Sequence, residues 1–335
     1  MGKLGVGTIG LRAGNPRVWQ GSAIVETKAI CDVDENLLKT SAELCPDALA
    51  TTDWKQVATC PDVDLVFVAT PDPLHAEMTV AAVEAGKHVL CEKPMGMTVE
   101  ECAQMVAAAD QAGVKLMVGQ VCRFAPGFVM AKKFIDQGTI GDLFFVESEY
   151  AHDYANIPGV GGWRKDPVHL RHPILGGGCH AVDLLRWIAG NVEEVFAYSN
   201  KKMLRDWPVD DCTIATLKFA ENDVIGKALC SVGCKRPYTM RSVFWGSEGT
   251  IICDNTSNEI QVASEKLAGQ HSWCQIPVQL GSHNKCAEIE GLARAITEGK
   301  PADPDGREGA RTVATCLAAV ESAASGQPVR VRNEF

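Results

Sequence analysis

His88-Val89-Leu90-Cys91-Glu92-Lys93-Pro94 is the stretch that best predicts the fold of this chain, because it places a lysine where a buried strand has to end. Proline cannot donate a hydrogen bond to a sheet, and it favours an extended conformation at the residue before it. We therefore expect the chain to leave the sheet at Lys93. At the carboxyl end of a parallel strand, an ammonium group points into the crevice where open α/β sheets bind ligands.

A second buried strand precedes this run and completes a βαβ unit. Residues 64–70 read Asp-Leu-Val-Phe-Val-Ala-Thr, and a helix should lie between the two strands. We expect Asp72 to cap that helix, Pro73 to occupy its first turn and Gly86 to end it. A lone Lys-Pro pair more often closes a strand in solvent, but these flanking elements favour a ligand crevice.

Length and charge limit the class of protein. The chain has 335 residues, 46% hydrophobic and 22% charged, which favours two domains over one large core. A net charge of −10 disfavours a nucleic-acid or anionic-membrane surface. The sequence has no apolar run near the ~20 residues that cross a bilayer and no signal-peptide pattern. We therefore expect a cytoplasmic protein with neither membrane nor nucleic acid as a partner.

Cysteine usage gives no sign of a metal site. The fourteen cysteines are scattered, without a Cys-x-x-Cys pair or a Cys/His cluster at zinc spacing. In a chain without a targeting segment, they are expected to be reduced and mostly buried thiols. We expect no structural metal.

The first third of the chain alternates strands and helices, which predicts a doubly wound parallel sheet in an α/β fold. A helix over residues 99–112 should open with a capping box of Thr98 and Glu101. The expected strands cover residues 3–9, 28–31, 64–69, 88–91 and 115–119.

Beyond residue 122 the pattern changes to long alternating runs, which predict an antiparallel sheet. These runs cover residues 143–151, 212–219, 224–232, 239–245 and 259–263. Helices over 286–298 and 307–325 should close the chain. We therefore divide the chain into domains 1–121 and 122–335, and the last helix could pack back on the first domain.

The segment Gly5-Val6-Gly7-Thr8-Ile9-Gly10 matches the dinucleotide-binding pattern G-x-G-x-x-G literally, but only four residues precede it. We prefer to place the strand at 3–9 and the phosphate-binding turn at Gly10-Leu11-Arg12-Ala13-Gly14. In that register Arg12 replaces the second glycine of the pattern, and its charge could assist a bound pyrophosphate.

Asp32 lies 22 residues beyond Gly10, at the end of the next predicted strand. That position suits a carboxylate that accepts hydrogen bonds from an adenosine ribose, and it would repel a 2′-phosphate. NAD is therefore favoured over NADP. Alternatively or additionally, Asp32 could cap the helix that begins near Glu35. The cofactor candidates in this region are Ile9, Gly10, Leu11, Arg12, Ala13, Asp32 and Val33.

Three stretches together resemble the glucose–fructose oxidoreductase/inositol dehydrogenase (Gfo/Idh/MocA) family: DVDLVFVATPDPLHAEMTVAAVEAGKHVLCEKPMGMT at 62–98, VCRFAPGF at 121–128 and GGGCHAVDLLRW at 176–187. The resemblance extends over nearly the whole chain. It implies an N-terminal Rossmann domain and a C-terminal α/β domain with a large, mostly antiparallel open sheet. It also implies an active site between the domains, and a homodimer or homotetramer formed through that sheet.

The same resemblance implies an enzyme that transfers a hydride between NAD(P) and a secondary alcohol or ketone of a sugar, inositol or related polyol. Lys93 would contact both the substrate and the nicotinamide ribose, and Glu92 would border the cofactor. Four further residues would line the cofactor crevice: Thr70, Pro71, Leu74 and His75.

The family's second catalytic element is an Asp-x-x-x-His pair, in which the histidine accepts a proton. His180 matches the histidine, but Gly176 stands where the aspartate is expected. Asp183 lies one helical turn after His180 and could reach it, although a structural role is favoured. Lys93 and His180 are the catalytic candidates, and the sequence leaves open which of them accepts the proton.

The substrate candidates come from polar and aromatic segments that suit a sugar pocket. Arginines and histidines among them indicate a substrate with several hydroxyls or a carboxylate. Arg171 is a further possibility beside the main set, which is Lys93, Arg123, Tyr150, His152, Tyr154, Trp163, Arg164, His169 and His180.

Two alternatives stay open. Some relatives oxidise a sugar transiently and act as NAD-using glycosidases or epimerases without net redox change. Others of this fold are cofactor-sensing proteins without catalysis, and Gly176 is the residue that best supports that possibility.

Overall fold

The computed structural model describes residues 2–267, 269–281 and 283–335. The chain forms two compact units. The first contains the residues up to Gln120 together with Lys285–Ala310 and Phe335, and the second contains Val121–Asn284 and Arg311–Glu334. Residues 285–310 thus group with the first unit, whereas the sequence-based division assigned them to the second domain. That division into domains stays a prediction.

Helices occur in both units. In chain order they are α1 Glu35–Ala42, α2 Trp54–Ala58, α3 His75–Glu84, α4 Val99–Ala112, α5 Pro126–Asp136, α6 Pro173–Gly176, α7 Cys179–Ala189, α8 Lys285–Thr297 and α9 Gly306–Ser325.

Strands likewise occur in both units. In chain order they are β1 Leu4–Ile9, β2 Val25–Cys31, β3 Leu49–Thr51, β4 Leu65–Val68, β5 His88–Cys91, β6 Leu116–Val118, β7 Leu143–Ala151, β8 Val192–Asn200, β9 Cys212–Phe219, β10 Ile225–Ser231, β11 Thr239–Gly246, β12 Gly249–Asp254, β13 Glu259–Ser264, β14 Gly269–Pro277 and β15 Val329–Arg330.

The first unit contains a six-stranded parallel sheet in the order β3-β2-β1-β4-β5-β6. This is the strand order of a dinucleotide-binding Rossmann fold, and its direction reverses between β1 and β4. Every residue of β4 and β6 is buried, as expected of strands covered on both faces. The predicted Rossmann sheet is confirmed.

Local signals account for the helix ends in this unit. Thr98 and Glu101 form the predicted capping box of α4, and Gly113 ends it in the left-handed conformation. The cap predicted for α3 is wrong, because a 3₁₀ turn over Asp72–Leu74 precedes α3 and Leu74 is its N-cap residue. Gly86 follows the end of α3 with φ +78°, as expected.

The second unit contains a nine-stranded sheet in the order β14-β13-β12-β11-β7-β10-β9-β8-β15. Within the described ranges, β7 and β10 are the parallel pair and the other neighbours are antiparallel. Burial alternates along β9 and β10, so one face of these strands packs and the other is exposed. The predicted open and mostly antiparallel sheet is therefore confirmed.

The exposed residues of this sheet include large apolar side chains: Tyr198 in β8, Ile225 in β10 and Trp245 in β11. Association through this sheet stays a prediction. Within the described part of the chain, no helix has the length and apolar character to cross a membrane, and no group of three metal-ligating side chains could hold an ion. All fourteen cysteines are thiols rather than members of disulfides.

Candidate active site

The phosphate-binding turn follows β1 directly, as the preferred register predicts. The literal G-x-G-x-x-G match lies mostly inside the strand, where Gly5 and Gly7 allow close packing. Gly10 has φ +95°, and a Cβ atom there would lie 2.4 Å from the carbonyl oxygen of Ala69 at the end of β4. Only glycine fits, so the turn lies against the carboxyl end of β4, where the sheet direction reverses.

Asp32 ends β2 and binds the backbone of this turn. One carboxylate oxygen accepts a hydrogen bond from the Leu11 N–H at 2.8 Å, and the other accepts from the Asp34 N–H at 2.9 Å. Each oxygen keeps a lone pair that a ribose hydroxyl could use. The capping role considered for Asp32 is wrong, because Asp34 is the N-cap residue of α1. Val33 is 87% exposed beside this carboxylate.

The other turn residues have distinct environments. Ile9 and Leu11 are buried, and the Leu11 N–H is already bound to Asp32, so neither offers a polar group to a cofactor. Arg12 is exposed and pairs with Asp34 at 3.2 Å. The carbonyl of Ala13 accepts a hydrogen bond from Lys285 at 3.2 Å. The cofactor contacts expected of these residues stay predictions.

A cluster of charged groups lies where β5 ends. The Glu92 carboxylate accepts a hydrogen bond from the Lys93 N–H at 3.1 Å and pairs through its other oxygen with the Lys285 ammonium. Burial alone would raise the pKa of Glu92, but Lys285 and Lys93 together hold it below its usual range. Glu92 is therefore an anion at neutral pH. Lys93 is half-buried, so it is not a lysine in bulk solvent.

A second carboxyl group, that of Glu288 on α8, belongs to this cluster. Its residue is 1% exposed, and its Oε1 atom has no hydrogen-bond partner within the described residues. Burial, with the nearby charge of Glu92, raises the pKa of Glu288 well above its usual value. Sequence analysis missed both Glu288 and Lys285. No motif marks them, and Lys285 is 193 residues from Glu92 in the chain.

His75 was predicted to line the cofactor crevice, and that role stays a prediction. It is fully buried, and its ring nitrogens lie 2.8 Å from the Pro94 carbonyl and 2.9 Å from the Thr70 carbonyl. Because carbonyls only accept, both nitrogens must donate, and the ring must be an imidazolium. Burial opposes that charge, yet Cys91, Asp72 and the Pro94 carbonyl raise the pKa of His75 to about 10. The His75 ring thus bridges the segments that follow β4 and β5.

The remaining crevice candidates lie in the segment that His75 braces. Thr70 and Pro71 are half-buried, and Leu74 is 39% exposed. All three follow the carboxyl end of β4, so their side chains are positioned at the ligand-binding edge of the sheet. Their contacts with a cofactor stay predictions.

In the second unit, His180 packs among aromatic residues. It lies in α7, is 2% exposed, and its ring stacks on Tyr150 with centroids 6.3 Å apart. The Tyr150 hydroxyl is 2.8 Å from the Tyr154 hydroxyl and 3.3 Å from His152 Nδ1. The structure thus brings together four of the predicted residues, with polar atoms that suit a hydroxylated ligand.

Two residues that sequence analysis missed extend this group. The His283 ring is centred 6.0 Å from His180 and 5.5 Å from Tyr238, and Tyr238 is 5.4 Å from Tyr150. Burial raises the pKa of Tyr238, so its hydroxyl stays protonated. A histidine just before a helix and a lone tyrosine after a proline are weak signals without the fold.

Arg171 explains the missing carboxylate at position 176. A Cβ atom on Gly176 would lie 2.0 Å from Arg171 Nη1, so the guanidinium occupies the space of a side chain there. Arg171 is buried and stacks on Trp163 at 5.0 Å, and Arg164 stacks on the same ring at 5.2 Å. His169 is exposed.

Arg123 was predicted to bind substrate, and in the structure it forms a buried ion pair. Its guanidinium donates two hydrogen bonds to the Asp183 carboxylate, at 2.7 and 2.8 Å, and both side chains are buried. Thr312 donates to the same carboxylate at 3.1 Å. The substrate contact expected of Arg123 stays a prediction. Asp183 accepts hydrogen bonds from both Arg123 and Thr312, and the structural role favoured for it stays a prediction as well.

The sequence matches two family models. Residues 2–120 match the model described as "Oxidoreductase family, NAD-binding Rossmann fold", and residues 128–252 match the "GFO/IDH/MocA C-terminal domain". A 1,5-anhydro-D-fructose reductase from Ensifer adhaerens is 31% identical over 289 residues, 84% of each chain. The chain belongs to the Gfo/Idh/MocA oxidoreductase family.

Other members of the family agree over the full length. An inositol 2-dehydrogenase from Acidothermus cellulolyticus is 27% identical over 95% of this chain and 91% of its own. The structure of a levoglucosan dehydrogenase in complex with NADH and L-sorbose superposes with a TM-score of 0.88, at 26% identity and over 100% of both chains. This chain is thus an oxidoreductase with an NAD-binding Rossmann domain.

The residues of the first unit fit such a cofactor. The glycine turn leaves no room for a side chain at Gly10, and Asp32 presents carboxylate oxygens at the end of β2. Glu92 and Lys93 supply charged groups at the end of β5. Together they offer a turn for the pyrophosphate, an acceptor for a ribose and charges for the nicotinamide end.

Proposed function

We propose that this Gfo/Idh/MocA oxidoreductase interconverts a secondary alcohol and a ketone on a sugar or polyol, with NAD rather than NADP as its cofactor. The observation that carries the proposal is the half-buried Lys93 beside the Glu92 carboxylate, at the carboxyl end of a strand of an NAD-binding sheet. The named activities of the relatives, which include an anhydrosugar reductase and an inositol dehydrogenase, support this substrate class.

The residues of this chain would divide the chemistry between them. Bound NAD supplies the acceptor or donor of the hydride. His180 takes the proton of the substrate hydroxyl, and Lys93 donates a hydrogen bond to the oxygen and stabilises the developing alkoxide. The exchange of these two roles is the alternative. Tyr150, His152 and Tyr154 offer hydroxyl and imidazole groups to the other hydroxyls of the substrate.

Lys93→Met and His180→Asn test this assignment. NADH absorbance is followed with a panel of levoglucosan, inositol and 1,5-anhydro-D-fructose. Each variant should lose turnover by roughly 10²–10⁴-fold, the usual contribution of a positioned acid–base group. Lys300→Ala, at an exposed lysine of the first unit, is the control and should behave as the wild type. Near-normal turnover in Lys93→Met would remove Lys93 from the mechanism.

The pH dependence separates the two roles. If His180 is the base, His180→Asn loses the acid limb of the kcat/KM profile and Lys93→Met keeps it, whereas the reverse result would exchange the roles. Product formation without any change in NADH would instead favour the glycosidase or epimerase alternative. NAD binding without turnover on a broad panel would favour a sensor.

A further inference from the structure

Lys285 links three parts of the first unit that are distant in sequence. Its ammonium pairs with the Glu92 carboxylate at the end of β5 and donates to the Ala13 carbonyl in the phosphate-binding turn at 3.2 Å. It also lies 5.7 Å from the centre of the Phe67 ring in β4. A single side chain of α8 therefore reaches the end of β5, the phosphate-binding turn and the Phe67 ring of β4.

The charged groups around Lys285 favour Glu92 as its anionic partner. Two lysines, Lys93 and Lys285, and two carboxyl groups, Glu92 and Glu288, face one another in the cluster. Burial keeps Glu288 protonated at neutral pH, since its pKa is raised well above the usual value. Of the two carboxyl groups in the cluster, Glu92 is therefore the one that meets Lys285 as an anion.

We propose that Lys285 is a positioning residue for the nicotinamide site: it fixes the Glu92 carboxylate and ties it to the phosphate-binding turn at Ala13. This inference rests on the proposed function, in which Glu92 borders the cofactor. An anionic Glu92 favours the cationic nicotinamide of NAD⁺ over the neutral ring of NADH. Loss of the lysine leaves Glu92 buried with Lys93 alone, so its pKa rises and the carboxyl takes up a proton at a higher pH.

The test is cofactor titration of the full chain from pH 6 to 9, followed by calorimetry. Lys285→Met should weaken NAD⁺ binding by roughly 10- to 100-fold near neutral pH, as expected for the loss of a charged hydrogen-bond partner. The deficit should shrink as the pH rises, because Glu92 then ionises again. NADH binding should change less, since its nicotinamide ring is neutral. Lys285→Arg should restore both the affinity and the pH dependence.

Arg294→Met is the matched control, because Arg294 lies on the same helix and pairs with Glu290 at the surface. It should bind both cofactors as the wild type does. Equal binding by Lys285→Met and the wild type would overturn the proposal. A deficit of the same size at every pH, or for both cofactors, would also overturn it and indicate a purely structural lysine.

Glu92→Gln keeps the proposal testable if Lys285→Met folds poorly. It removes the charge and keeps the shape, so it should reproduce the weak NAD⁺ binding without the recovery at high pH. Adding Lys285→Arg to Glu92→Gln should then change affinity little; a large further change would contradict the proposed coupling. These titrations need no substrate. A wild type that binds NAD but oxidises no substrate would contradict the proposed function. The role of Lys285 would then still be tested by the pH dependence of NAD⁺ binding.

Discussion

Each unit of the chain buries an ion pair, and the two pairs differ in how completely their atoms are bonded. In the second unit, Arg123 and Asp183 have side chains only 4% and 1% exposed and form two parallel hydrogen bonds, with Thr312 as a further donor. In the first unit, the side chains of Lys285 and Glu92 are 21% and 12% exposed, and the neighbouring Glu288 keeps an oxygen without a partner within the described residues.

The Arg123–Asp183 pair has the features of a structural ion pair, whereas the Lys285–Glu92 cluster has those of a functional site. A buried pair with every group bonded is stable in one geometry and offers nothing to a ligand, which suits a residue that fixes α7. A cluster with an unbonded carboxyl oxygen and partial exposure can respond to a ligand's charge. Clusters of that kind with shifted pKa values are typical of active sites.

The largest effect we expect is on stability, from breaking the Arg123–Asp183 pair. Asp183→Ala leaves the Arg123 guanidinium buried without its partner, and should lower the free energy of unfolding by about 3–5 kcal/mol. The measurement is guanidinium denaturation followed by tryptophan fluorescence. A loss below about 1 kcal/mol would mean that Arg123 finds other partners and that the pair does not anchor α7.

The double variant Arg123→Met/Asp183→Leu sharpens this result. Replacing both members of a buried pair with apolar residues is often nearly neutral, because no charge is left unpaired. The double variant should therefore recover most of the loss caused by Asp183→Ala. If it is no more stable than the single variant, the loss arises from packing of α7 rather than from an unpaired charge.

The two regions also differ in how far the sequence predicted them. The Rossmann strands and the capping box of α4 follow from local signals: apolar runs, a proline after Lys93, and Thr98 with Glu101. β3 was missed because it has three residues, of which two are exposed, so it lacks an apolar run. β8, β12, β14 and β15 were missed as well.

The charged cluster at the end of β5 was predicted only where a residue belongs to a motif. Glu92 and Lys93 lie in such a motif, whereas Lys285 reaches Glu92 across 193 residues without one. The same limit explains Arg123, whose partner Asp183 lies 60 residues away. The sequence alone does not show that this arginine pairs with a buried carboxylate. Arg171 fills the space beside Gly176, and this contact too is visible only in the folded structure.

A smaller effect should come from the pH dependence of Glu288. Burial raises its pKa in the folded protein above the unfolded value, so its contribution to stability is fully present below the unfolded pKa and is lost as the pH rises through the folded pKa. Glu288→Gln cannot lose a proton. Between pH 5 and 8 the variant should therefore become progressively more stable than the wild type as the pH rises.

Denaturation series at several pH values measure this difference. Glu298→Gln, at an exposed carboxylate just after α8, is the control and should show no such trend. A constant offset between Glu288→Gln and the wild type across the range would mean that Glu288 is ionised in the fold. In that case Lys285 would have two anionic partners, and its cluster would differ less from the Arg123–Asp183 pair.

The smallest effect should come from a surface pair on the same helix. Arg294 donates to Glu290 at 2.7 Å, one turn apart on α8, with the arginine side chain 56% exposed. Such pairs contribute about 0.3–0.5 kcal/mol, because water screens the charges and ordering the side chains costs entropy. Arg294→Met should therefore change the unfolding free energy by no more than that amount, and Glu290 keeps the hydrogen bond from the Ser22 hydroxyl at 2.8 Å. High salt should abolish the difference. A loss above about 1 kcal/mol would show that the exposure of an ion pair does not predict its contribution to stability. The number of hydrogen bonds in a pair would then be a poor guide to whether it is structural.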